Sequence, residues 1–252
     1  MSWSRVDLFL GGPLGLWTLG VVKPEQVGTV YSADVEICRR AVKLGRPFVL
    51  GVARSETGHS EGARSETGPS GETGRSSRVG MSVHYPFLLS EEVLRAYRVI
   101  YNLHPALLPW GRCYYPVFWA LWAGEPAGCT LHEIAPGIDD GAIVDQREVE
   151  VFPWDTGGTL HARVSGEEKR LFAEWWPEIA SGRRLPSVPQ GRANSFHYRS
   201  EFMALKRGKG IEEMTGPEVL KLVRCLSHPD YTGLEVEMGG RRYEISARRV
   251  DG

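Results

Sequence analysis

The sequence predicts an α/β protein: a mostly parallel sheet with flanking helices, plus a small C-terminal extension of a helix and a β-hairpin. Three observations point there. The first 51 residues alternate short apolar runs with helical segments, a βαβαβ beginning that implies crossover connections between parallel strands. The alternation resumes at Val79 and runs into a long helical stretch ending near Ile179. The last third is more polar and closes on two strand-like runs around Gly239-Gly240. An open, Rossmann-like sheet of this kind takes its ligands beyond the C-terminal ends of its strands.

In chain order, Val6 to Leu10 (VDLFL) is a short apolar run stopped by Gly-Gly-Pro, which predicts a buried strand. Leu14 to Val22 predicts a helix and VGTVYS (27–32) a second strand. Ala33 to Leu44 has helical spacing, with Val35, Ile37, Cys38, Ala41 and Leu44 as inward candidates. Gly45 ends it, and PFVLG (47–51) is a third strand. VGMSVHYP (79–86) predicts a strand ending at Pro86, and SEEVLRAY (90–97) a short helix with an N-cap serine and acidic first turn. VIYNLHP (99–105) is a strand stopped by Pro105, and Tyr115 to Ala123 a buried helix with proline near its start. AGCTLHEIA (127–135), with alternating character, and AIVDQREVEV (142–151) predict two more strands. A long helix spans Thr159 to Ile179, another Pro217 to Leu226, and LEVEM-GG-RRYEISARRV predicts the hairpin.

Residues 53–78 break the pattern. ARSETGHSEG is followed by ARSETG and PSGETGRSS, a polar near-repeat with no aliphatic residue larger than alanine. Such a segment buries too little surface to offset its ordering entropy, so it is expected to be a disordered insertion. The expected organisation is a domain at 1–186 carrying this insertion, and an extension at 187–252. Thirty basic residues against 31 acidic ones leave a net charge of -1, which argues against a nucleic-acid partner. Cys38, Cys113, Cys129 and Cys225 are scattered with no zinc spacing, so no metal site is expected. Their usage suits a reducing cytosol. The apolar N-terminus is interrupted by Gly and Pro and lacks a basic n-region, so neither a signal peptide nor a membrane span is predicted.

The chemistry concentrates at NLHPALLP (102–109). Period two on a strand puts Asn102 and His104 on one face, at the C-terminal edge if the strand ends at Pro105. An isolated Asn-x-His reads more simply as a core histidine bonded to an asparagine. The downstream residues change that reading. The order is N-x-H-P-x-L-L-P, a helix, G-x-T-x-H (128–132), then I-D-x-G-x-I-x-x-Q (138–146).

This series resembles the folate-dependent formyltransferase family over roughly residues 79–165. The family includes the glycinamide ribonucleotide, methionyl-tRNA and sugar-nucleotide N-formyltransferases. The resemblance implies that Asn102, His104 and Asp139 are catalytic and that N10-formyltetrahydrofolate is the co-substrate. Formyl transfer to an amine passes through a tetrahedral oxyanion, which an amide donor and an imidazolium stabilise. Asp139 can hold His104 charged and oriented, and help remove the amine proton. Asp140 also reads as a turn former, and His132 as structural support for the site. The resemblance places the pterin against Tyr85, Pro86, Phe87 and Leu88 and against Pro136, Ile138 and Asp140; residues 85–89 also read as an ordinary strand-to-helix turn. Arg112-Cys113 departs from the family's frequent Arg-Gly, so a glycine-only backbone angle there would be strained.

The tail resembles the sugar-nucleotide branch, which implies an aminodideoxyhexose linked to dTDP or UDP as acceptor, in glycan or O-antigen biosynthesis. A cytoplasmic enzyme is expected. Trp110, Tyr114 and Tyr115 either line the sugar pocket or pack. His197, Tyr198 and Arg199 either meet the nucleotide or form a solvated loop. An exposed apolar hairpin face (Leu234, Val236, Met238) suits a homodimer contact. The alternatives are a glycinamide ribonucleotide enzyme, a methionyl-tRNA enzyme, or a non-catalytic homologue that binds folate or nucleotide.

Overall fold

The computed structural model describes residues 5–51, 77–192, 195–229, 231–248 and 250. The predicted insertion lies outside them, except for Ser77 and Arg78.

Strands β1 (Val6–Leu10), β2 (Val27–Ser32), β3 (Phe48–Leu50), β4 (Val79–Val83) and β5 (Val99–His104) pair in parallel: β1 with β2 and β4, β2 with β3, and β4 with β5. After the short β6 (Arg112–Cys113), which lies outside this sheet, come β7 (Ala127–Glu133) and β8 (Ile143–Val149). The strand order is β3-β2-β1-β4-β5-β7-β8, and β7 is antiparallel to β5. The predicted mostly parallel α/β sheet is therefore present. Every residue of β1 and of β4 is buried, Asp7 and Ser82 included, which explains why these strands read as mainly apolar runs. The edge strand β3 instead exposes Phe48, Val49 and Leu50.

The helices follow capping chemistry. α1 (Gly12–Val21) begins on Gly-Pro, and α2 (Val35–Lys43) on Asp34, whose side chain accepts from the Glu36 amide at 2.8 Å. Ile37, Cys38 and Ala41 face inward as expected, but Val35, at the first helical position, is exposed. α3 (Glu91–Arg95) is capped by Ser90. α4 (Pro116–Trp122) and α5 (Gly157–Ala180) complete this part of the chain. Two sequence expectations are corrected. The strand at 79 stops at Val83, not Pro86, because His84 turns into the left-handed region (φ 52). The strand at 127 is buried along nearly all its length, without alternation.

The chain forms two compact units. One comprises Met1–His104, Thr130–Asp145 and Lys169–Pro189. Its core stacks Phe9 on Tyr31 at 4.7 Å, packed with Val93, Tyr97 and Ile100. Asp7, buried within β1, is satisfied by the Thr29 amide (2.7 Å), the Tyr97 hydroxyl (2.8 Å) and Arg78. Burial first, and then the Asp7 carboxylate, push the Tyr97 phenol far above its ordinary range.

The other unit comprises Pro105–Cys129, Gln146–Glu168 and Gln190–Gly252. Here β9 (Phe196–His197) pairs with β6, and α6 (Arg199–Lys206) follows, a helix that the sequence pattern does not predict. α7 (Gly216–Leu226) starts from Thr215, whose amide donates to Glu218 at 2.7 Å. The short β10 (Ser227–His228) and β11 (Tyr231–Thr232) pair antiparallel. β12 (Leu234–Met238) and β13 (Arg241–Ile245) form the predicted hairpin. Gly239 and Gly240 adopt φ 58 and 71, as a two-residue primed turn requires. Leu234 is fully buried, so it is not part of an exposed apolar face; Met238, Tyr243 and Ile245 are exposed.

Candidate active site

The first unit brings Asn102, His104 and Asp139 together. β5 carries Asn102 and His104 on one face, two residues apart, at its C-terminal end. The antiparallel neighbour β7 sets His132 directly opposite Asn102 and Thr130 opposite His104. The loop after β7 then returns Asp139. Its backbone is left-handed (φ 49), a region that aspartate tolerates better than most residues. The loop has little room: a Cβ on Gly141 would strike the Glu133 carbonyl, and one on Gly137 the Asp140 carboxylate. The I-D-x-G glycine is therefore a close-approach position.

Asp139 stands between two imidazoles. Its Oδ1 lies 3.7 Å from His104 Nδ1 and 3.8 Å from His132 Nε2. His104 and His132 are both buried, and their rings meet edge to face with centroids 6.2 Å apart. His132 Nε2 also lies 3.1 Å from Asn102 Nδ2, and its Nδ1 2.8 Å from the Glu133 carbonyl. Burial depresses the His132 pKa to about 4, outweighing the opposing pull of Asp139, so the ring is neutral near pH 7. The arrangement offers an amide, an imidazole and a carboxylate within one small volume. That set suits an acyl-type transfer through an oxyanion. Among the described residues no group of three His, Cys, Asp or Glu is placed to hold a metal ion.

The residues predicted to hold a pterin also lie in this unit. Tyr85 packs against Phe9, with ring centroids 5.7 Å apart, and Phe87 against Tyr85 at 5.3 Å. Pro86 and Leu88 are exposed. In the Asp loop, Pro136 and Asp140 are exposed and Ile138 is half-buried.

The remaining predicted residues belong to the second unit. Trp110 is half-buried and Tyr114 is exposed. Tyr115 stacks on Phe202 at 3.8 Å, which accounts for it as packing. Its φ of 58 starts α4, and Cys113 takes φ 82, the angle expected for the glycine it replaces. His197 is held in β9, stacked on Trp119 at 4.0 Å, with Nε2 2.7 Å from Glu125 Oε1. Tyr198 and Arg199 are exposed at the start of α6. Sequence reasoning missed Glu125, whose buried carboxylate meets a histidine 72 residues away. Nothing in a G-E-P turn signals such a partner. A cavity of about 290 Å³ in this unit is lined by Ser227, His228, Tyr231 and Glu244 among others, none of them a predicted site residue.

Residues 75–175, which include all three candidate catalytic side chains, match the family model for formyl transferase. The chain is 30% identical over 142 residues to a dTDP-4-amino-4,6-dideoxyglucose formyltransferase of Mycobacterium tuberculosis. That alignment covers 56% of this chain and 60% of the relative, so the chain spans under two thirds of the length of the curated relative. Among solved structures, a 4-N formyltransferase from Francisella tularensis superposes with a TM-score of 0.74 at 16% identity, covering 98% of each chain. An N-formyltransferase from Helicobacter canadensis, in complex with folinic acid and dTDP-3-aminofucose, gives 0.69 at 16% identity, covering 94% of this chain and 84% of that one. At such identities the likeness establishes the fold alone.

Proposed function

We propose that this protein is an N-formyltransferase that moves a formyl group from N10-formyltetrahydrofolate to the amino group of a nucleotide-linked amino sugar. The carrying observation is the convergence of Asn102, His104 and Asp139 at one strand edge, inside the segment that matches the formyl transferase model. The relatives' names support the choice of acceptor: one acts on a dTDP-linked aminodideoxyglucose, and another binds folinic acid and a dTDP-linked aminofucose.

In this reading the folate lies along Tyr85, Pro86, Phe87 and Leu88 and the Pro136–Asp140 loop, with its formyl carbon before Asn102 and His104. The acceptor amine attacks that carbon. The developing oxyanion takes hydrogen bonds from the Asn102 amide and the His104 ring. Asp139, 3.7 Å from His104 Nδ1, orients that ring and receives the amine proton directly or through water; as the oxyanion collapses the bond from the formyl carbon to N10 breaks, and N10 leaves with a proton to give tetrahydrofolate. Trp110, Tyr114, Tyr198 and Arg199 are the candidates for the sugar nucleotide, Arg199 for its diphosphate. The catalytic domain is residues 1–186, and residues 187–252 are its extension. The enzyme works in the cytoplasm as a homodimer through the exposed apolar side chains of the hairpin, Met238, Tyr243 and Ile245. Among the described residues no helix is long and apolar enough to cross a membrane.

The test is incubation of the purified protein with N10-formyltetrahydrofolate and a panel of dTDP- and UDP-linked amino sugars, read by product mass. One added formyl group on one panel member is the expected result. No gain on any sugar, with folate bound, would move the activity to another amine or reduce the protein to a binding module.

A further inference from the structure

Asn102 has an unusual neighbour. The side chain opposite it in the sheet is the buried His132, and the two are joined by the 3.1 Å contact between Nδ2 and Nε2. His132 Nδ1 lies 2.8 Å from the Glu133 carbonyl. A carbonyl oxygen only accepts, so Nδ1 carries the hydrogen. In a neutral imidazole Nε2 then holds the lone pair, and the atom of Asn102 facing it has to donate. Only the amide nitrogen can do so. One of the two amide hydrogens of Asn102 is committed to His132, and the other is directed elsewhere.

We propose that His132 is a positioning residue for formyl transfer: by accepting one amide hydrogen of Asn102, it turns the second hydrogen, rather than Oδ1, toward the formyl oxygen. The proposal rests on the formyl-transfer reading of this site. An unanchored asparagine amide can turn end for end at small cost. The turned form sets a carbonyl oxygen against the developing oxyanion, where it repels instead of stabilising. The chain from the Glu133 carbonyl through the ring to the amide removes that choice. It requires a neutral ring, since an imidazolium would donate from Nε2 and reverse the amide. Asp139, Asp140 and His104 are the titratable groups facing His132, and burial outweighs the two carboxylates. The same ring also lies beside Asp139, so one buried histidine borders two of the three candidate catalytic side chains.

Two measurements test this. The first compares kcat and KM for His132→Ala and His132→Gln. Glutamine carries an acceptor oxygen near the position of Nε2 but has no titratable ring. The alanine variant should lose about 10- to 100-fold in kcat with KM nearly unchanged, less than loss of the donor itself. The glutamine variant should recover most of that loss. A glutamine variant as slow as alanine, or an alanine variant at wild-type kcat, would overturn the proposal. The second is nitrogen-15 NMR of the wild-type ring, which needs no activity and no stable variant. It should show a neutral imidazole protonated on Nδ1 at pH 7. A proton on Nε2 at that pH would overturn the assignment. Wild-type protein that formylates no amine would sink the formyl-transfer reading itself, an outcome distinct from a wild-type enzyme indifferent to His132.

Discussion

Asp139 adopts a left-handed backbone and sets one carboxylate oxygen within 4 Å of two imidazoles. Asp139→Asn keeps the shape and removes the negative charge. Formyl transfer by this variant should fall by about 100-fold or more, with folate affinity nearly unchanged, as read by steady-state kinetics beside a folate titration. His132 carries a second expectation. Its folded pKa of about 4 lies below the ordinary histidine value, so the unfolded chain binds the proton first as pH falls. Its contribution to stability is therefore complete above about pH 6.5 and is lost as pH falls through about 4. Unfolding free energies from urea titrations across that window should fall more steeply with falling pH for wild type than for His132→Gln. Parallel curves would remove His132 as the source. Period two put Asn102 and His104 on one face and the downstream motif series marked them as site residues, but the Asn102–His132 contact was not legible. It depends on an antiparallel register between strands whose paired residues lie 30 apart.

β6 and the start of α4 place two non-glycine residues at positive φ, Cys113 at 82 and Tyr115 at 58. The sequence already marked Cys113, because the motif it interrupts favours glycine there. Left-handed backbone costs a side-chain-bearing residue about 1–2 kcal/mol, partly offset by the extra entropy that glycine loses on folding. Cys113→Gly should therefore raise the thermal midpoint slightly, by up to about 1 kcal/mol of stability, as measured by calorimetry. A lowered midpoint would mean that the Cys113 side chain contributes more than its backbone costs. The main strands and helices were readable because their patterns are local: apolar runs for β1 and β4, an Asp34 cap for α2, a Gly-Gly turn for the hairpin. α6 was not, because its apolar signal is thin and its anchor, Phe202, finds its partner in Tyr115, far away in sequence. The end of the strand at Val83 was missed because only the left-handed turn at His84, not a proline, stops it.

The β12–β13 hairpin carries exposed apolar side chains, Met238, Tyr243 and Ile245. If two copies meet through that hairpin, Met238→Glu together with Tyr243→Asp should shift the protein from dimer to monomer. Sedimentation equilibrium would read the change, with the circular dichroism spectrum unaltered. A wild-type protein that is monomeric at high concentration would end that reading. The near-neutral net charge fits a small-molecule acceptor better than a polynucleotide one, and weak, salt-insensitive retention on heparin is the corresponding behaviour.

The decisive measurement is the single-turnover rate of formyl transfer by His104→Asn against wild type, with folate bound in advance and its affinity measured in parallel. If the Asn102, His104 and Asp139 cluster performs the chemistry, the rate falls by about 100-fold or more while folate affinity holds. A variant that transfers the formyl group at the wild-type rate would take the reaction away from this strand edge.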